Sequence, residues 1–373
     1  MSKGVVAVAM SGGMDSLRAA VLLKKEGYDV VGLFMTLSDH MSQVNLIDRL
    51  DILEEKFQIP IHKVEAIEVF EKTVIEPFVN AYLGGETPNP CVVCNPSIKF
   101  GFLLDYWKSR AGEICSSLGI SSIPLSLLAT GHYVSLVSPD ENPYGLRYGI
   151  RRHKDDSKDQ SYFLYGLSQE QLRQAIFPLA SETKKEVALW VSSLGLQDLV
   201  VSESQEICFI PSRDYAGFLE KRVPWLAGSS GPIKDLTGRV LGYHKGIHRY
   251  TIGQRRGIGI PSSAPYYVVK ISPEENTVYV GRRNELAAYG CFVRDVKWVS
   301  TECPDRKFRA SVKIRNQHKP AAATVEPLSE DRAIIRFDVP QDAVTPGQSA
   351  VFYEGEWLLG GGVISGSINS FEE

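Results

Sequence analysis

The sequence has no long apolar run, no repeat and no strong excess of charge of either sign. Its 41 Lys and Arg residues oppose 44 Asp and Glu residues, which gives a net charge of −3. This balance argues against a uniformly basic nucleic-acid binder, although a local basic face suffices to bind RNA. No segment approaches the ~18 uninterrupted apolar residues of a membrane span, and no basic stretch with an apolar signal core opens the chain. We therefore expect a cytoplasmic protein without a membrane partner.

Cysteine is scarce, with six residues among 373, at positions 91, 94, 115, 208, 291 and 303. An even number is compatible with disulfides, but in a chain of this length without a secretion signal catalysis or metal ligation is the more common use. Cys115, Cys291 and Cys303 have no flanking signature, and we interpret them as structural.

The segment Ser11–Ser16 reads SGGMDS and lies between two unlike stretches. Val5–Met10 is a short β-branched run typical of a strand buried on both faces. Leu17–Lys24 has the amphipathic period of a helix, which ends near Gly27. A strand, two glycines and a helix N-terminus form an anion site, because the backbone amides and the helix dipole face the bound oxyanions. No lysine follows the glycines to reach a γ-phosphate, so this is not the G-x-x-x-x-G-K-[ST] loop.

Strand and helix patterns alternate after this loop. The predicted strands are Tyr28–Met35, Ile59–Val64 and Leu127–Thr130, and the predicted helices are Asn45–Phe57, Glu68–Tyr82 and Thr183–Leu194. This rhythm predicts an α/β domain with a doubly wound parallel sheet and a nucleotide at the carboxyl ends of its strands. From Gly228 the chain is rich in Gly, Pro and short alternating runs, which predicts a small central α+β domain and then a β-barrel or sandwich. The expected boundaries are 1–210, 211–283 and 284–373.

The segment Thr87–Pro96 contains three prolines and the pair Cys91 and Cys94. Because prolines hinder regular structure, we expect the two cysteines on a rigid loop. A C-x-x-C pair can close a disulfide, tune a thiolate or supply two metal ligands, and the partner pair of a structural zinc is not evident. Cys208, by its own pattern, is more typical of a core cysteine than of a catalytic one.

Two segments, Gly246–Gly257 and Lys313–Lys319, combine positive charge with polar or flexible backbone. Such segments suit contacts with a phosphate backbone, and a solvated basic turn is the alternative interpretation.

Together these motifs resemble a known family. The blocks SGGMDS, TPNPCVVCN, ATGHY, KDQSYFL, SQEICFIP and IGQRRGIG run nearly end to end and in order. They are similar to the tRNA-specific 2-thiouridylases, PP-loop enzymes that replace the carbon-2 oxygen of the wobble uridine by sulfur. The resemblance implies a PP-loop domain, a small central domain and a C-terminal β-barrel. It also implies ATP and Mg²⁺ for adenylation of the uridine, tRNA as partner, and a protein that donates or relays sulfur.

The resemblance also implies roles for individual residues. ATP would be bound by Ala9, Met10, Ser11, Gly12, Gly13, Met14, Asp15, Ser16, Met35 and Gly131, with Asp15 also assigned to catalysis. Cys94 would be the nucleophile, and Cys208 would carry the persulfide sulfur. The tRNA would be contacted by Asn89, Pro90, Cys91, His132, Lys158, Asp159, Gln160, Arg315, Asn316 and Gln348.

The chain departs from the family pattern at several positions. Cys91 stands where the family usually has Asp, Met14 and Arg18 replace small residues, and the segment after Met35 is short. Cys91, Cys94 and Cys208 match the number of thiols with which related thiolases hold a [4Fe-4S] cluster. Two sulfur routes therefore stay open, a cluster-bound sulfur and a persulfide on Cys208 that Cys94 resolves.

Three other functions are compatible with parts of the sequence. One is thiolation of a different tRNA uridine, and another is a PP-loop ligase or amidotransferase that acts on a small carboxylate. The third is a non-catalytic RNA-binding protein with a metal-binding C-x-x-C. The ligase or amidotransferase has no use for the three cysteines, and the RNA-binding protein does not need an intact Ser11–Ser16 loop.

Overall fold

The computed structural model describes residues 2–37, 42–200, 207–210 and 214–370. The strands are β1 (Val5–Met10), β2 (Asp29–Thr36), β3 (Ile61–Glu65), β4 (Pro124–Ala129), β5 (Val134–Val137), β6 (Gly149–Arg152), β7 (Ala175–Ile176), β8 (Gly231–Asp235), β9 (Val240–His244), β10 (Tyr267–Ser272), β11 (Thr277–Gly281), β12 (Ala287–Trp298), β13 (Phe308–Lys313), β14 (Ala321–Ser329), β15 (Arg332–Asp342), β16 (Ser349–Glu354) and β17 (Trp357–Ile368). The α-helices are α1 (Met14–Lys25), α2 (Ser42–Phe57), α3 (Ile67–Phe70), α4 (Glu76–Leu83), α5 (Pro90–Cys94), α6 (Leu104–Ser117), α7 (Gln169–Arg173), α8 (Lys184–Ser193) and α9 (Tyr215–Arg222). None of the helices in this described part is long and apolar enough to cross a membrane.

Five strands form a parallel sheet in the order β3-β2-β1-β4-β7. The chain runs outward from β1 through β2 to β3 and returns to β4 on the other side of β1. The carboxyl ends of β1 and β4 therefore flank the point where the strand order reverses, which is where such sheets bind ligands. The predicted doubly wound α/β fold is confirmed, with strand bounds that shift by up to three residues.

The apolar run of β1 is explained by burial on both of its faces. Val5 and Ala7 pack in a cluster with Trp107 of α6, whereas Val6 and Val8 pack in a second cluster with residues of α1 and α8. A strand covered by helices on both faces requires apolar residues at every position. The second cluster places the first turns of α1 and α8 on the same side of the sheet.

The C-terminal strands close into a six-stranded barrel in the order β12-β15-β14-β13-β16-β17, completed by pairing of β12 with β17. The expectation of a barrel is confirmed, and the sandwich alternative is wrong. The central region contains α9 and a four-stranded sheet in the order β10-β11-β8-β9, which agrees with the predicted α+β domain.

The hairpin β5–β6 belongs to the barrel sheet, although it lies within the N-terminal part of the chain. Ile150 and Arg151 of β6 pair antiparallel with Leu358 and Trp357 of β17. Sequence patterns within 1–210 did not reveal this pairing, because it joins segments about 200 residues apart. The three domain boundaries themselves stay a prediction.

Candidate active site

The Ser11–Gly13 turn carries the chain from β1 into α1 at the carboxyl edge of the sheet. Gly12 has a φ of 75°, a left-handed conformation that glycine adopts without steric cost. Ser16 Oγ donates to Gly13 O over 3.0 Å and lies 3.2 Å from Ser11 Oγ. The N-cap Gly13 has no side chain to accept a hydrogen bond from the first amides of α1. A helix start of this kind binds oxyanions through its own N–H groups.

Both carboxylate oxygens of Asp15 are held by side chains from other elements. The Tyr133 hydroxyl donates to Oδ1 over 2.7 Å, and Lys184 Nζ donates to Oδ2 over 2.6 Å. The side chains of Lys184 and Asp15 are only 14% and 23% exposed. The structure thus brings a lysine to this loop from 169 residues away.

Sequence reasoning missed Lys184. The capping box of Thr183 and Glu186 fixes the start of α8 at Lys184, so the helix start itself has a local signal. No local pattern shows that this start lies beside α1, because the contact depends on how both helices cover the same face of the sheet.

Gly131 follows β4 and approaches the start of α1 closely. A Cβ atom there would lie 2.7 Å from the carbonyl carbon of Asp15 and 2.8 Å from the amide nitrogen of Ser16. Only glycine leaves room for this approach. Met35 lies at the end of β2, next to β1, and is partly buried. The structure therefore gathers the predicted ATP-binding residues along one edge, and their binding role stays a prediction.

Cys91 and Cys94 lie on helix α5, so the prediction of a rigid loop is wrong. Asn89 caps this helix, since its Oδ1 accepts a hydrogen bond from Cys91 N over 3.1 Å. Pro90 occupies the first helical position, where no N–H is needed and the fixed φ of proline already suits a helix. Because the two cysteines are three residues apart, they lie on the same face of the helix.

The helix continues beyond Cys94 as a π-helical segment, Asn95–Leu103, and then as α6. Pro96 has no N–H, which interrupts the regular helical ladder. Gln171 Nε2 donates to the carbonyl oxygens of Pro96 and Phe100 over 2.7 and 3.1 Å. In a π-helix the hydrogen bonds join residues five apart, so Lys99 lies about one helical turn after Cys94, toward the C-terminus.

Burial raises the pKa of the Cys94 thiol to about 12 and also raises the pKa of Cys91 and Cys208. Lys99 opposes this change at all three thiols, while Cys208 and Cys91 each raise the pKa of Cys94 further. The three thiols and the Lys99 ammonium are therefore within electrostatic range of one another. Sequence reasoning missed Lys99, since its position depends on the π-helical turn.

Cys208 is held near α5 by the side chains next to it. Phe209 packs edge-on against Phe70 and Phe78, with ring centroids 5.7 and 5.3 Å apart. Cys94 and Ile207 pack against the same apolar cluster. Cys208 keeps solvent-exposed surface, although the protein around its thiol desolvates it enough to raise its pKa, so the interpretation as a core cysteine is wrong. The rest of the predicted block, residues 203–206 and 211, lies outside the described residues.

The three cysteines do not form a site for a single metal ion. Across the described ranges, no three His, Cys, Asp or Glu side chains converge on a common metal position. In a [4Fe-4S] cluster each thiolate binds a different iron. The cluster hypothesis therefore stays a prediction. Cys115 and Cys291 are buried and Cys303 is half-buried, and all six cysteines are free.

Several residues predicted to contact tRNA are engaged inside the protein. Asp159 is buried and accepts hydrogen bonds from Arg152 Nε and Ser161 Oγ, both over 3.0 Å. Gln160 Oε1 accepts from Tyr133 N over 3.0 Å. His132 is also buried, and burial and the nearby Lys99 lower its pKa well below the usual range.

Other predicted tRNA contacts lie at the surface. Arg315 is exposed and Asn316 and Lys158 are half-buried. Arg315 lines an open cavity of about 520 Å³ on the barrel, together with His318 and Lys319. The structure keeps these basic residues on a different element from the thiols.

The predicted tRNA residue Gln348 also joins the barrel to the segment that leads into α5. Its Nε2 donates to Thr87 O over 2.7 Å, and Thr87 N donates to Pro346 O over 2.9 Å. Arg294 donates to both carboxylate oxygens of Glu86, over 3.1 and 3.0 Å. The barrel therefore fixes the chain immediately before the helix that carries Cys91 and Cys94.

Comparison with known proteins gives consistent results along the whole chain. Three family models match in order: the tRNA methyl transferase HUP domain over residues 4–212, the tRNA methyl transferase PRC-barrel domain over 216–282, and the aminomethyltransferase beta-barrel domain over 289–364. A solved structure, the U34-tRNA thiolase NcsA from Methanococcus maripaludis with its [4Fe-4S] cluster, has a TM-score of 0.31 at 18% identity and covers 60% of this chain and 69% of that chain. This similarity is too low to carry an argument.

Two curated relatives are much more similar. The tRNA-specific 2-thiouridylase MnmA of Microcystis aeruginosa is 41% identical over 369 residues, which is 98% of this chain and 99% of that protein. The tRNA-specific 2-thiouridylase MnmA of Desulfosudis oleivorans is 42% identical over 364 residues, or 97% of this chain and 95% of that protein. The chain therefore belongs to the tRNA-specific 2-thiouridylase family.

Proposed function

We propose that this protein is an ATP-dependent tRNA sulfurtransferase that replaces the carbon-2 oxygen of the wobble uridine with sulfur. The observation that carries the proposal is the combination of the Ser11–Ser16 anion loop with the thiols of Cys91, Cys94 and Cys208 in one chain of the 2-thiouridylase family. A ligase that acts on a small carboxylate has no use for these thiols.

In the first step the uridine O2 attacks the α-phosphorus of ATP. The bond from this phosphorus to the bridging oxygen breaks, and pyrophosphate leaves with the electron pair. The carbon-2 oxygen, otherwise a poor leaving group, can then depart as AMP. Ser11–Ser16 would hold the phosphates, with Met35 and Gly131 beside the adenosine.

Asp15 is the carboxylate that would hold Mg²⁺ at the phosphate loop, since Mg²⁺ is bound by one or two carboxylates together with phosphate oxygens. Each Asp15 oxygen accepts one bond, from Tyr133 or Lys184, and a carboxylate has about four lone-pair sites, so these bonds are compatible with an ion. The ion, when bound, would neutralise charge on the pyrophosphate.

In the second step sulfur arrives as a persulfide on Cys208. Its terminal sulfur forms a bond to carbon 2, the bond from carbon 2 to oxygen breaks, and AMP leaves. Cys94, after losing its proton, then attacks the Cys208 sulfur. The persulfide bond breaks, its electron pair goes to the transferred sulfur, and 2-thiouridine is released with a disulfide between Cys94 and Cys208. A thiol reductant must reduce this disulfide, and a protein that donates or relays sulfur must reload Cys208.

We infer that the tRNA is bound mainly by the accessible residues of the predicted set, Lys158, Arg315 and Asn316. Asn89, Pro90 and Cys91 would lie around the target base, which must be splayed out of the anticodon loop to reach the thiols. Because Asp159, Gln160 and Gln348 bond inside the protein, we expect them to shape this surface. His132 is also buried, so we expect it to support this surface from inside the protein. A tRNA substrate favours a cytoplasmic location.

Mass spectrometry of tRNA nucleosides tests the proposed function. Deleting the gene should remove a 2-thiouridine derivative from the wobble position, and restoring it should return the modification. Loss of a thiouridine at another position would instead favour the alternative of a different target uridine. Unchanged nucleosides, with AMP released in the presence of a small carboxylate and no tRNA, would favour the ligase.

The variant Cys91→Asp separates the two sulfur routes. With a Cys208 persulfide, this variant should keep thiolation activity, whereas Cys94→Ser and Cys208→Ser should lose it. If anaerobically purified protein absorbs broadly near ~400 nm and Cys91→Asp loses both absorbance and activity, the persulfide route is wrong.

A further inference from the structure

The lysine that the loop sequence lacks is supplied by the fold. Lys184 is the first residue of α8, and its Nζ lies 2.6 Å from Asp15 Oδ2. Asp15 belongs to the first turn of α1, within the anion loop itself. The Lys184 ammonium is therefore at the helix start where phosphate oxygens would bind, and it also lies 5.9 Å from the centre of the Tyr133 ring.

An unopposed carboxylate in this position would repel a triphosphate. Pairing with Lys184 removes that repulsion, and the Tyr133 hydroxyl satisfies the other carboxylate oxygen over 2.7 Å. An ammonium group has three N–H donors, so a bond to Asp15 is compatible with a bond to a phosphate oxygen. Because the Lys184 side chain is only 14% exposed, solvent and salt only weakly screen its contacts with Asp15 and with a bound anion.

A second ion pair fixes the start of α8 against α1. Arg18 Nε donates to Glu182 Oε2 over 2.8 Å, and Arg18 Nη2 donates to the other oxygen. The Arg18 guanidinium also lies 4.8 Å from the centre of the Trp190 ring. Arg18 is three residues after Asp15, and Glu182 is two residues before Lys184. The two pairs therefore join the same two chain segments side by side.

We propose that Lys184 binds the phosphoryl oxygens of ATP that leave as pyrophosphate, and that the Arg18–Glu182 pair positions Lys184 for this contact. The proposal rests on the proposed function only in taking ATP as the ligand of the loop. Lys184 then does the work of the lysine found within other phosphate loops, although it comes from a distant helix.

Nucleotide binding to the full-length protein, measured by calorimetry with ATP and with AMP, tests the role of Lys184. Lys184→Met should weaken ATP binding by about 10- to 100-fold, the range of one charge-assisted hydrogen bond. AMP binding should weaken far less, because AMP lacks the phosphates that leave and carries less charge for the unpaired Asp15 to repel. Lys184→Arg should recover most of the ATP affinity. Lys185→Met, at the next and exposed position of α8, is the matched control and should change neither affinity.

Equal loss of ATP and AMP binding in Lys184→Met would overturn the proposal, because it would indicate a structural role. Unchanged ATP binding would overturn it as well. If Lys184→Met does not fold, Lys184→Gln provides the same comparison with a neutral donor to Asp15. Arg18→Met should weaken ATP binding about tenfold at most and leave AMP binding unchanged, as expected for a positioning residue.

These outcomes are distinct from those of the proposed function. Wild-type protein that binds ATP through Lys184 but does not thiolate tRNA would refute the proposed function alone. Wild-type protein that thiolates tRNA, with no effect of Lys184→Met on ATP binding, would refute this inference alone.

Discussion

The anion loop and the three thiols of Cys91, Cys94 and Cys208 are the two halves of the proposed catalytic region, and they differ in how far each is prepared for chemistry. At the loop, Asp15 has a charged partner in Lys184 and a hydroxyl partner in Tyr133, both within 2.7 Å. Among the thiols, burial raises the Cys94 pKa to about 12, so the proposed nucleophile is protonated near neutral pH. The loop is thus set before its ligand arrives, whereas the thiols need activation after the substrate binds.

The two halves differ because a fixed charge benefits a phosphate site, whereas a permanent charge on a thiol favours its oxidation. A phosphate loop gains from fixed charges, because preorganised donors cost no rearrangement during the reaction. A permanently ionised thiol, in contrast, is open to oxidation. Keeping Cys94 protonated, with Lys99 nearby to favour the thiolate, allows reactivity to be confined to the complex with substrate.

The largest expected effect is that of Cys94→Ser, which should stop sulfur transfer and leave ATP cleavage intact. Cys94→Ser should abolish thiolation, because the Cys208 persulfide bond can no longer be broken by a thiolate. Release of pyrophosphate from ATP in the presence of tRNA should continue, since the loop is untouched. Nucleoside mass spectrometry and a pyrophosphate assay measure the two steps. If both activities disappear together, the halves are not independent.

A smaller effect is expected from Gly131→Ala, which should disturb the anion loop and leave the thiols unchanged. The new Cβ would meet the backbone of Asp15 and Ser16 at 2.7 and 2.8 Å. Overpacking of this kind costs about 1–3 kcal/mol of stability, and it should displace the backbone of the first turn of α1, so ATP affinity should fall. The rate of Cys94 alkylation should not change. Gly112→Ala, where a Cβ meets nothing within 4 Å, is the control in calorimetry. Equal ATP affinity for both variants would contradict the close approach.

Next in size is the effect of Lys99→Met on the thiols. Because Lys99 lowers the Cys94 pKa, its removal should raise that pKa further and reduce the thiolate fraction. We expect alkylation of Cys94 by iodoacetamide to slow by about tenfold per unit of pKa increase at a fixed pH. In the wild type, the same rate should rise about tenfold per pH unit between pH 7 and 11, since only the thiolate reacts.

Peptide mass spectrometry identifies the Cys94 adduct. Lys108→Met, a change at a lysine on α6 that pairs with Asp105 and Glu170, should leave the rate unchanged. A rate in Lys99→Met equal to that of the wild type would show that the activating charge comes from elsewhere.

The smallest effect concerns the support that the thiol half receives from the barrel. Arg294→Ala removes both hydrogen bonds that Arg294 Nη2 donates to Glu86, ahead of α5. The pair is partly exposed, so we expect a loss of about 1 kcal/mol, seen as a few-fold lower thiolation rate. The KM for ATP should not change. Arg309→Ala breaks an exposed pair with Asp338 on the same barrel, and it should have no effect. An equal effect of both variants would exclude a specific role for Arg294.

The anion loop could be predicted from sequence because its geometry is local. Two glycines, a buried strand and a helix period lie within 25 residues, and the structure has β1, the turn and α1 where these patterns predict them. Lys184 could not be predicted, since its contact depends on two helices that pack on one face of the sheet. The Ser11–Ser16 motif therefore specifies the backbone of this site but does not indicate which residue supplies its positive charge.

The thiol half was harder to predict, and its local structure was predicted wrongly. Three prolines predict irregular structure, but Pro90 begins a helix that Asn89 caps, and Pro96 is accommodated by a π-helical turn whose carbonyls accept hydrogen bonds from Gln171. The proximity of Cys208 depends on the packing of Phe209 far along the chain. Neither feature has a short-range signal, whereas the resemblance to the family placed both cysteines in one site.

The pairing of β6 with β17 has a consequence for synthesis of the protein. Arg151 emerges from the ribosome long before its partner Trp357, and at 5–20 residues per second the interval is roughly 10 to 40 s. During that time the β5–β6 hairpin has an open edge, to which other nascent chains could pair. The N-terminal half of this enzyme is thus exposed to misassembly until the last barrel strand is made, and chaperone demand should be concentrated in that interval.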